Sequence, residues 1–224
     1  MERGTEKKGA RLSMQGCLYT VIAPAGAMAG LETVRDCMKD DTLRLFLGHA
    51  LLHEIMPSMG LGRETLEPVA MAVCRDMESP LVAQPLLPLL SNGVRAWAEE
   101  TLPLVRRYAE REEKAPPCLS MSLAVLIMLF AGVRREEGEY EYLLGEEKRP
   151  IAEDEEILSS FSRLSCDMPP ESLAYAVLSD RAIWDGDLRD VPGLEDAVTG
   201  GLRDLQLLGL RSSLEKAWQE SKEE

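Results

Sequence analysis

The stretch "MSLAVLIMLFAGV", residues 121–133, is the longest apolar run in the chain, and Ser122 is its one polar side chain. A helix that spans a membrane needs about 20 apolar residues, and this run is well short of that length. We therefore expect a helix buried in a protein core. Ser120 stands directly before the run and is predicted as the N-cap, because its hydroxyl can accept a hydrogen bond from a free N–H of the first turn.

Amphipathic helices are predicted on both sides of this run. Residues 42–56 carry apolar side chains at i, i+3 and i+4 spacing, residues 64–77 repeat the pattern, and Pro57 stands where the first of these helices should end. Further helices are predicted over residues 153–164, 169–178, 193–208 and 210–222. Since helical periods occur along nearly the whole chain, the fold class is predicted as mainly α.

The remaining segments add little regular structure to this prediction. Residues 80–111 have a helical period but contain Pro85, Pro88 and Pro103, so breaks or kinks are expected there. The charged residues 134–150 are predicted as a surface connection, and no alternating strand pattern is longer than "LYTVIA" at residues 18–23. We predict a flexible N-terminal segment over residues 1–12 and a single multi-helix domain over residues 13–224.

Composition excludes several classes of partner. The formal net charge is −14, and the Lys and Arg residues are dispersed among acidic residues, so binding to nucleic acid or to an anionic membrane is not expected. The N-terminal stretch lacks the apolar core of a signal peptide. The odd number of cysteines, without a CxxC pair, predicts neither a disulfide framework nor a zinc site, and a reducing cytoplasm is the expected compartment.

No catalytic constellation is evident from the residues alone. His49 and His53 lie four residues apart and could share a helix face toward a metal, but the order is not HExxH and a polar helix flank explains the pair better. Ser120 and Ser122 lack the Gly-x-Ser-x-Gly elbow of a hydrolase nucleophile. No GxGxxG motif follows a strand, so the chain itself is not expected to bind a dinucleotide.

Four segments, in order, resemble one enzyme family. They are "AGLETVRDCMKDDTLRLFLGHALLHEIMP" from residue 29, "SPLVAQPLLPLLSNGVRAWAEETLPLV" from residue 79, "LSMSLAVLIMLFAG" from residue 119 and "VLSDRAIWDGDLRDVPGLEDAVTGGL" from residue 177. Together they are similar to the mannitol dehydrogenase family of long-chain polyol dehydrogenases, and most similar to its tagaturonate reductase (altronate oxidoreductase) branch. The resemblance covers residues 11 to about 215.

The resemblance implies one half of a two-domain enzyme. In the family, an N-terminal Rossmann domain binds NAD, and a mainly helical C-terminal domain supplies the sugar pocket and the catalytic groups. This chain corresponds to the second domain, so no cofactor is expected on the chain alone, and no metal is implied. Family members reduce a keto sugar or keto sugar acid with a Lys as acid/base and with an Asn and a His that polarise and orient the carbonyl.

The same resemblance locates the family's catalytic positions in this sequence. In the register fixed by Thr20, Pro24 and the following "GLETVR", Arg11 stands at the Lys position, Gly16 at the Asn position and Tyr19 at the His position. None of the three family residues is kept. Arginine has a pKa above about 12 and cannot shuttle protons near neutral pH, glycine has no side chain, and tyrosine is a weak base with a pKa near about 10.

A second family segment, the substrate pocket, is also changed. It corresponds to "NGVRAWA" at residues 92–98, where Asn92 matches the family, Ala96 replaces a substrate-binding Lys, and Glu100 stands where a basic residue is usual. Loss of these cations should disfavour an anionic sugar acid.

Three hypotheses remain open at this point. The chain is a substrate-domain homologue that has lost its catalytic groups, as a gene fragment or a pseudoenzyme; or a separately encoded Rossmann subunit docks on it, with Tyr19 and Arg11 in an altered site; or it is a helical interaction module that associates with another protein, or with itself, through the exposed domain interface.

Overall fold

The computed structural model describes residues 2–81, 84–136, 139–144 and 147–222, and helices dominate it. The α-helices are α1 (Glu2–Met28), α2 (Val34–Lys39), α3 (Asp41–His49), α4 (Met56–Ser58), α5 (Arg63–Glu78), α6 (Leu86–Leu90), α7 (Gly93–Glu100), α8 (Leu102–Glu112), α9 (Pro117–Phe130), α10 (Glu155–Phe161), α11 (Pro170–Leu178) and α12 (Leu194–Lys222). A π-helical turn (Ala50–Ile55) joins α3 to α4, and a short 3₁₀ turn (Leu188–Asp190) precedes α12. The mainly α fold class is confirmed.

Helix α9 is the buried centre of the fold. Its side chains are almost all inaccessible to solvent, and it packs against α12 and α1. The buried helix predicted from the apolar run is therefore confirmed, and none of the described helices is both long and apolar enough to cross a membrane.

The predicted N-cap of this helix is wrong. The helix begins at Pro117, so Ser120 lies inside it and is buried. Proline is favoured in the first turn because its missing N–H would have no helical partner there. Two of the free N–H groups of that turn, those of Cys118 and Leu119, instead donate to the carboxyl group of Glu54, each at 2.8 Å.

The charged connection predicted over residues 134–150 is also wrong. Strands β1 (Arg134–Glu136), β2 (Glu139–Leu144) and β3 (Glu147–Pro150) form an antiparallel sheet in the order β1-β2-β3. The signal was the alternation of Glu and Tyr in "EYEY", which has the period of a strand. Tyr142 is buried by this arrangement, while the flanking acidic residues keep the segment charged enough to resemble a loop.

Most of the predicted helix positions are confirmed. Residues 64–77 lie within α5, and the prolines of residues 80–111 separate α6, α7 and α8, although residues 82–83 lie outside the described part of the chain. Pro57 does not end its helix, because α4 continues to Ser58. Gly209 has φ 76° and kinks α12 where the sequence predicts a break between two helices.

The three predicted family positions, Arg11, Gly16 and Tyr19, all lie on helix α1, which is continuous from Glu2 to Met28. Gly26 allows a close approach, since a Cβ there would overlap the sulfur of Cys37 and a methyl group of Leu86. Gly30, with φ 74°, follows the end of the helix. The segment 1–12 is helical from Glu2 onward, and its flexibility stays a prediction.

Candidate functional site

Arg11 occupies the first of the predicted family positions on α1, and its side chain forms an ion pair. Its guanidinium contacts the carboxylate of Asp76 on α5, and both side chains are about half exposed. The contact fixes α1 to α5 at the surface. Because an arginine stays protonated at neutral pH, this position supplies a fixed positive charge that Asp76 already neutralises.

Gly16 and Glu100 meet where α1 packs against α7. A Cβ placed on Gly16 would lie 2.6 Å from Cδ and 2.7 Å from Oε2 of Glu100, so the carboxyl group occupies the space that a side chain at position 16 would need. The sequence treats the two residues as separate departures from the family. The structure shows that they form one feature, in which the carboxyl group of α7 covers the glycine of α1.

The charge of Glu100 has little local compensation. Partial burial, and secondarily the like charge of Glu99, raise the pKa of Glu100 above its ordinary value. Arg11, the cation at the predicted Lys position on α1, bonds to Asp76 instead. On α7, Arg95 bonds to Asp154 at 2.8 Å.

Tyr19 lies one helical turn beyond Gly16, on the same side of α1. Its hydroxyl accepts a hydrogen bond from Nε2 of Gln15 at 3.0 Å, and the side chain is half-buried against the core. The tyrosine can still donate its own hydroxyl proton. Gln15 is a polar residue of this site that sequence analysis missed; its place four residues before Tyr19 was the available signal.

A buried hydroxyl pair holds α1 to the junction between α7 and α8. The hydroxyl groups of Thr20 and Thr101 lie 2.6 Å apart, and the Thr20 hydroxyl donates to the carbonyl oxygen of Cys17 at 2.8 Å. Burial raises the pKa of Cys17 to about 12, so its thiol stays protonated and is a poor nucleophile. Since Thr101 directly follows Glu100, the pair holds the backbone at the end of α7 close to α1.

The other two pocket positions lie along α7. Asn92, Ala96 and Glu100 are spaced four residues apart and so follow one side of the helix. Asn92 precedes the helix in the left-handed region, at φ 57°, and its N–H donates to the carbonyl oxygen of Ala152 at 2.7 Å. Asparagine is favoured in that conformation, so its match to the family has a backbone explanation, while Ala96 offers only a methyl group.

The two histidines form part of an aromatic stack. The rings of His49 and His53 lie 5.4 Å apart at an interplanar angle of 14°, and Trp218 stacks on His49 at 5.0 Å. Among the described residues, no group of three or more His, Cys, Asp or Glu side chains could hold a metal ion. The pair therefore packs α12 against the π-helical turn.

Glu54 is a buried carboxyl group that sequence analysis did not single out. It lies in the π-helical turn with none of its surface exposed, and burial raises its pKa to about 7 despite the N–H donors of Cys118 and Leu119. Its place at the start of α9 makes it an internal cap. The feature is structural, since the carboxyl group has no access to solvent.

Comparison with known proteins identifies relatives that are a little more than twice as long as this chain. Altronate oxidoreductase of Klebsiella pneumoniae (strain 342) is 31% identical over 202 residues, which cover 88% of this chain and 40% of the relative. Altronate oxidoreductase of Pectobacterium atrosepticum is 30% identical over the same shares. No family model matches the chain.

Solved structures show where this fold occurs. Mannitol 2-dehydrogenase of Pseudomonas fluorescens, in a ternary complex with NAD and D-mannitol, matches 94% of this chain with a TM-score of 0.75 and 12% identity. A D-sorbitol dehydrogenase in substrate-free form matches the same share with a TM-score of 0.73 and 18% identity. In each case the chain covers 40% of the solved protein.

The fold is thus that of the helical C-terminal domain of a mannitol dehydrogenase-type protein. By sequence, the chain is homologous to the C-terminal part of altronate oxidoreductases, and it covers 40% of the length of those relatives.

The described residues do not fit NAD. A dinucleotide site of the Rossmann type needs a parallel strand, a glycine-rich turn and the N-terminus of a helix in succession. The three strands of the described chain form an antiparallel sheet, and they supply no parallel strand for such a site. No chemical step through the cofactor can be assigned to these residues.

Proposed function

We propose that the chain is a substrate-domain homologue of an NAD-dependent altronate oxidoreductase or mannitol dehydrogenase that has lost its catalytic set and does not reduce a keto sugar by itself. One observation carries the proposal. The carboxyl group of Glu100 fills the space beside Gly16, at the family's Asn position.

Electrostatics supports an inactive site. Hydride transfer to a carbonyl builds negative charge on its oxygen, and a dehydrogenase lowers the barrier with donors positioned there beforehand. At this site a carboxylate covers the Asn position, and its negative charge would oppose the developing oxyanion. Arg11 is held by Asp76 and cannot release a proton near neutral pH.

The experiment that tests this proposal distinguishes the loss of the catalytic side chains from the absence of a nucleotide-binding domain. The nucleotide-binding part of the Klebsiella altronate oxidoreductase is fused to this chain, and NADH consumption is followed with tagaturonate or fructose. We expect no turnover from the fusion and measurable turnover once Arg11→Lys, Gly16→Asn, Tyr19→His and Glu100→Lys are combined in it. Turnover by the unaltered fusion would overturn the proposal.

A second candidate function is that of a subunit completed by a separately encoded nucleotide-binding partner. Leu12 favours it, because this leucine is 62% exposed and lies one turn before Gly16 on the same side of α1. NADH consumption on mixing the chain with such a partner, and its loss in Leu12→Ser, would favour this candidate over the first.

We place the protein in the cytoplasm. The five cysteines are free thiols in the structure, and Cys17, Cys37 and Cys118 are buried, which suits a reducing compartment.

A further inference from the structure

We propose that the cavity between the π-helical turn, α4 and α5 binds a small carboxylate with an apolar tail, of the class of a medium-chain fatty acid. The cavity has a volume of about 350 Å³, which lies in the range of about 300–1,000 Å³ that is usual for small-molecule sites. Its described lining residues include none of the predicted family positions. The inference therefore goes beyond the proposed function and does not depend on it.

The body of the cavity is apolar. Five of its lining side chains are hydrophobic: Leu52, Met56, Pro57, Leu61 and Leu66. Met56 and Leu66 are almost completely buried and form its floor, whereas Leu52 is 56% exposed and lies at its mouth. An alkyl chain in this space would be removed from water together with the apolar surface that it covers, and that burial is favourable by about 25 cal/mol per Å².

The polar side chains that line the cavity are both basic. They are His53 in the π-helical turn and Arg63 at the start of α5. The ion pair of Arg63 with Glu67 is long, at 3.9 Å between Nη2 and Oε1, so the guanidinium can turn toward a second carboxylate. Although the sequence has 39 acidic and 25 basic residues, the described lining of this cavity contains no acidic side chain. The rim therefore favours an anionic headgroup over a cationic one.

Contacts outside the cavity hold its walls in place. The ring of His53 stacks on that of His49, with the centroids 5.4 Å apart. Nη1 of Arg111 donates to the carbonyl oxygen of Pro57 at 2.8 Å, and this adds a guanidinium behind the wall, which Glu112 partly neutralises. A site whose walls are positioned before the ligand arrives loses less conformational freedom on binding.

The basic rim and the apolar floor together define the ligand class. A guanidinium can donate two parallel N–H bonds to a carboxylate, and an imidazole ring has an N–H donor in either protonation state. A sugar acid would place hydroxyl groups against Met56 and Leu66, where they would find no partner among the lining side chains. An acid with an alkyl tail avoids that cost and uses both parts of the cavity.

The test uses three ligands with the same eight-carbon chain: octanoate, octanamide and octylamine. Dissociation constants are measured by NMR titration of the full chain at pH 7.5 and low salt. We expect octanoate to bind about fivefold more tightly than octanamide, because the partners of its charge are exposed, and octylamine to bind most weakly. In Arg63→Gln the affinity for octanoate should fall to within about twofold of that for octanamide. The matched control Arg75→Gln, on the same helix and outside the cavity, should keep the original order.

A second variant tests the apolar part. Leu61→Trp keeps both basic side chains and fills the cavity from its half-buried wall, so all three ligands should bind at least about tenfold more weakly. Circular dichroism checks that each variant is folded. The inference would be overturned by no binding of octanoate at millimolar concentration, by octylamine binding as tightly as octanoate, or by unchanged octanoate binding in either variant. Turnover by the fusion protein would refute the proposed function and leave these binding results unaffected, so the two failures are distinguishable.

Discussion

At the scale of single residues, Gly16 and Glu100 depend on each other. A glycine inside a helix costs about 0.5–1 kcal/mol relative to alanine, so a glycine in the middle of α1 requires a reason. The carboxyl group of Glu100 supplies it by occupying the space beside the glycine. Restoring the family's Asn at position 16 therefore requires the Glu100 side chain to move aside.

We predict that Gly16→Asn lowers the free energy of unfolding by less than about 1 kcal/mol, because the new side chain displaces only the flexible end of the Glu100 side chain. In a Glu100→Ala background the same substitution should be close to neutral. Urea unfolding of the two single variants and the double variant measures this coupling.

The matched control is Gly9→Ala, since Gly9 lies on the same helix and a Cβ there meets no atom within 4 Å. We expect it to be neutral or stabilising by about 0.5–1 kcal/mol. Equal costs for Gly16→Asn with and without Glu100 would contradict the coupling.

At the scale of helices, Glu54 joins three elements that are distant in sequence. It lies in the π-helical turn, caps α9 through Cys118 and Leu119, and lies beside Ser221 near the end of α12. π-turns are often retained where a side chain must be re-aimed, and here the turn carries a carboxyl group into the core. Because this carboxyl group titrates, the contact among the π-helical turn, α9 and α12 is sensitive to pH.

We predict that Glu54 makes stability fall as the pH rises from about 4.5 to about 7. Its pKa is about 7 in the folded protein and has the ordinary value of 4.5 when the carboxyl is exposed, so in this window the native state binds more protons than the unfolded state. The free energy of unfolding then decreases with pH, by about 3 kcal/mol for this group. Urea unfolding at several pH values measures the slope.

Glu54→Gln should remove the largest part of that slope, because an amide does not titrate; the raised pKa values of Glu100 and Glu153 leave a smaller slope of the same sign. The exposed Glu64→Gln on α5 should leave it unchanged. The depressed pKa values of Asp40 and Asp187 contribute with the opposite sign and at lower pH, outside this window. If the Glu54→Gln variant shows the full dependence of unfolding free energy on pH, then Glu54 is not the residue whose titration causes it.

At the scale of the whole molecule, apolar surface is left uncovered beside α3 and α5. Leu45 and Leu52 are 42% and 56% exposed, and both border a cavity of about 290 Å³ that Cys74 of α5 also lines. Exposed apolar patches of this kind commonly drive association. The net charge of −14 acts against contact between copies.

We predict that the isolated chain self-associates through this surface, and more strongly at high salt, because salt screens the repulsion between copies. Light scattering over a range of concentrations measures the mean mass. Leu52→Ser should reduce association, while Leu207→Ser, at an exposed site on α12, should not. A monomer at high concentration would contradict the prediction, and undiminished association of Leu52→Ser would exclude this surface.

The sequence by itself determined most of the helices, while the register of the family positions stays a prediction. Residues 64–77 gave α5 to within a residue at each end, and Gly209 marked the break in α12, because helical periods and backbone breaks depend on near neighbours in the chain. The sheet was missed because the alternation in "EYEY" is short and rich in charge, and its pairing with β1 and β3 is non-local.

Only the tertiary structure decided what the site contains. In the sequence, Gly16 and Glu100 are two separate differences from the family pattern. The packing of α1 against α7 brings them into contact, with the Glu100 carboxyl group beside the glycine. Similarly, Ser120 had a suitable position for a cap, but the carboxyl group of Glu54 took that role from another helix. Contacts between residues far apart in the chain depend on how helices pack, and the local pattern of a sequence does not specify that packing.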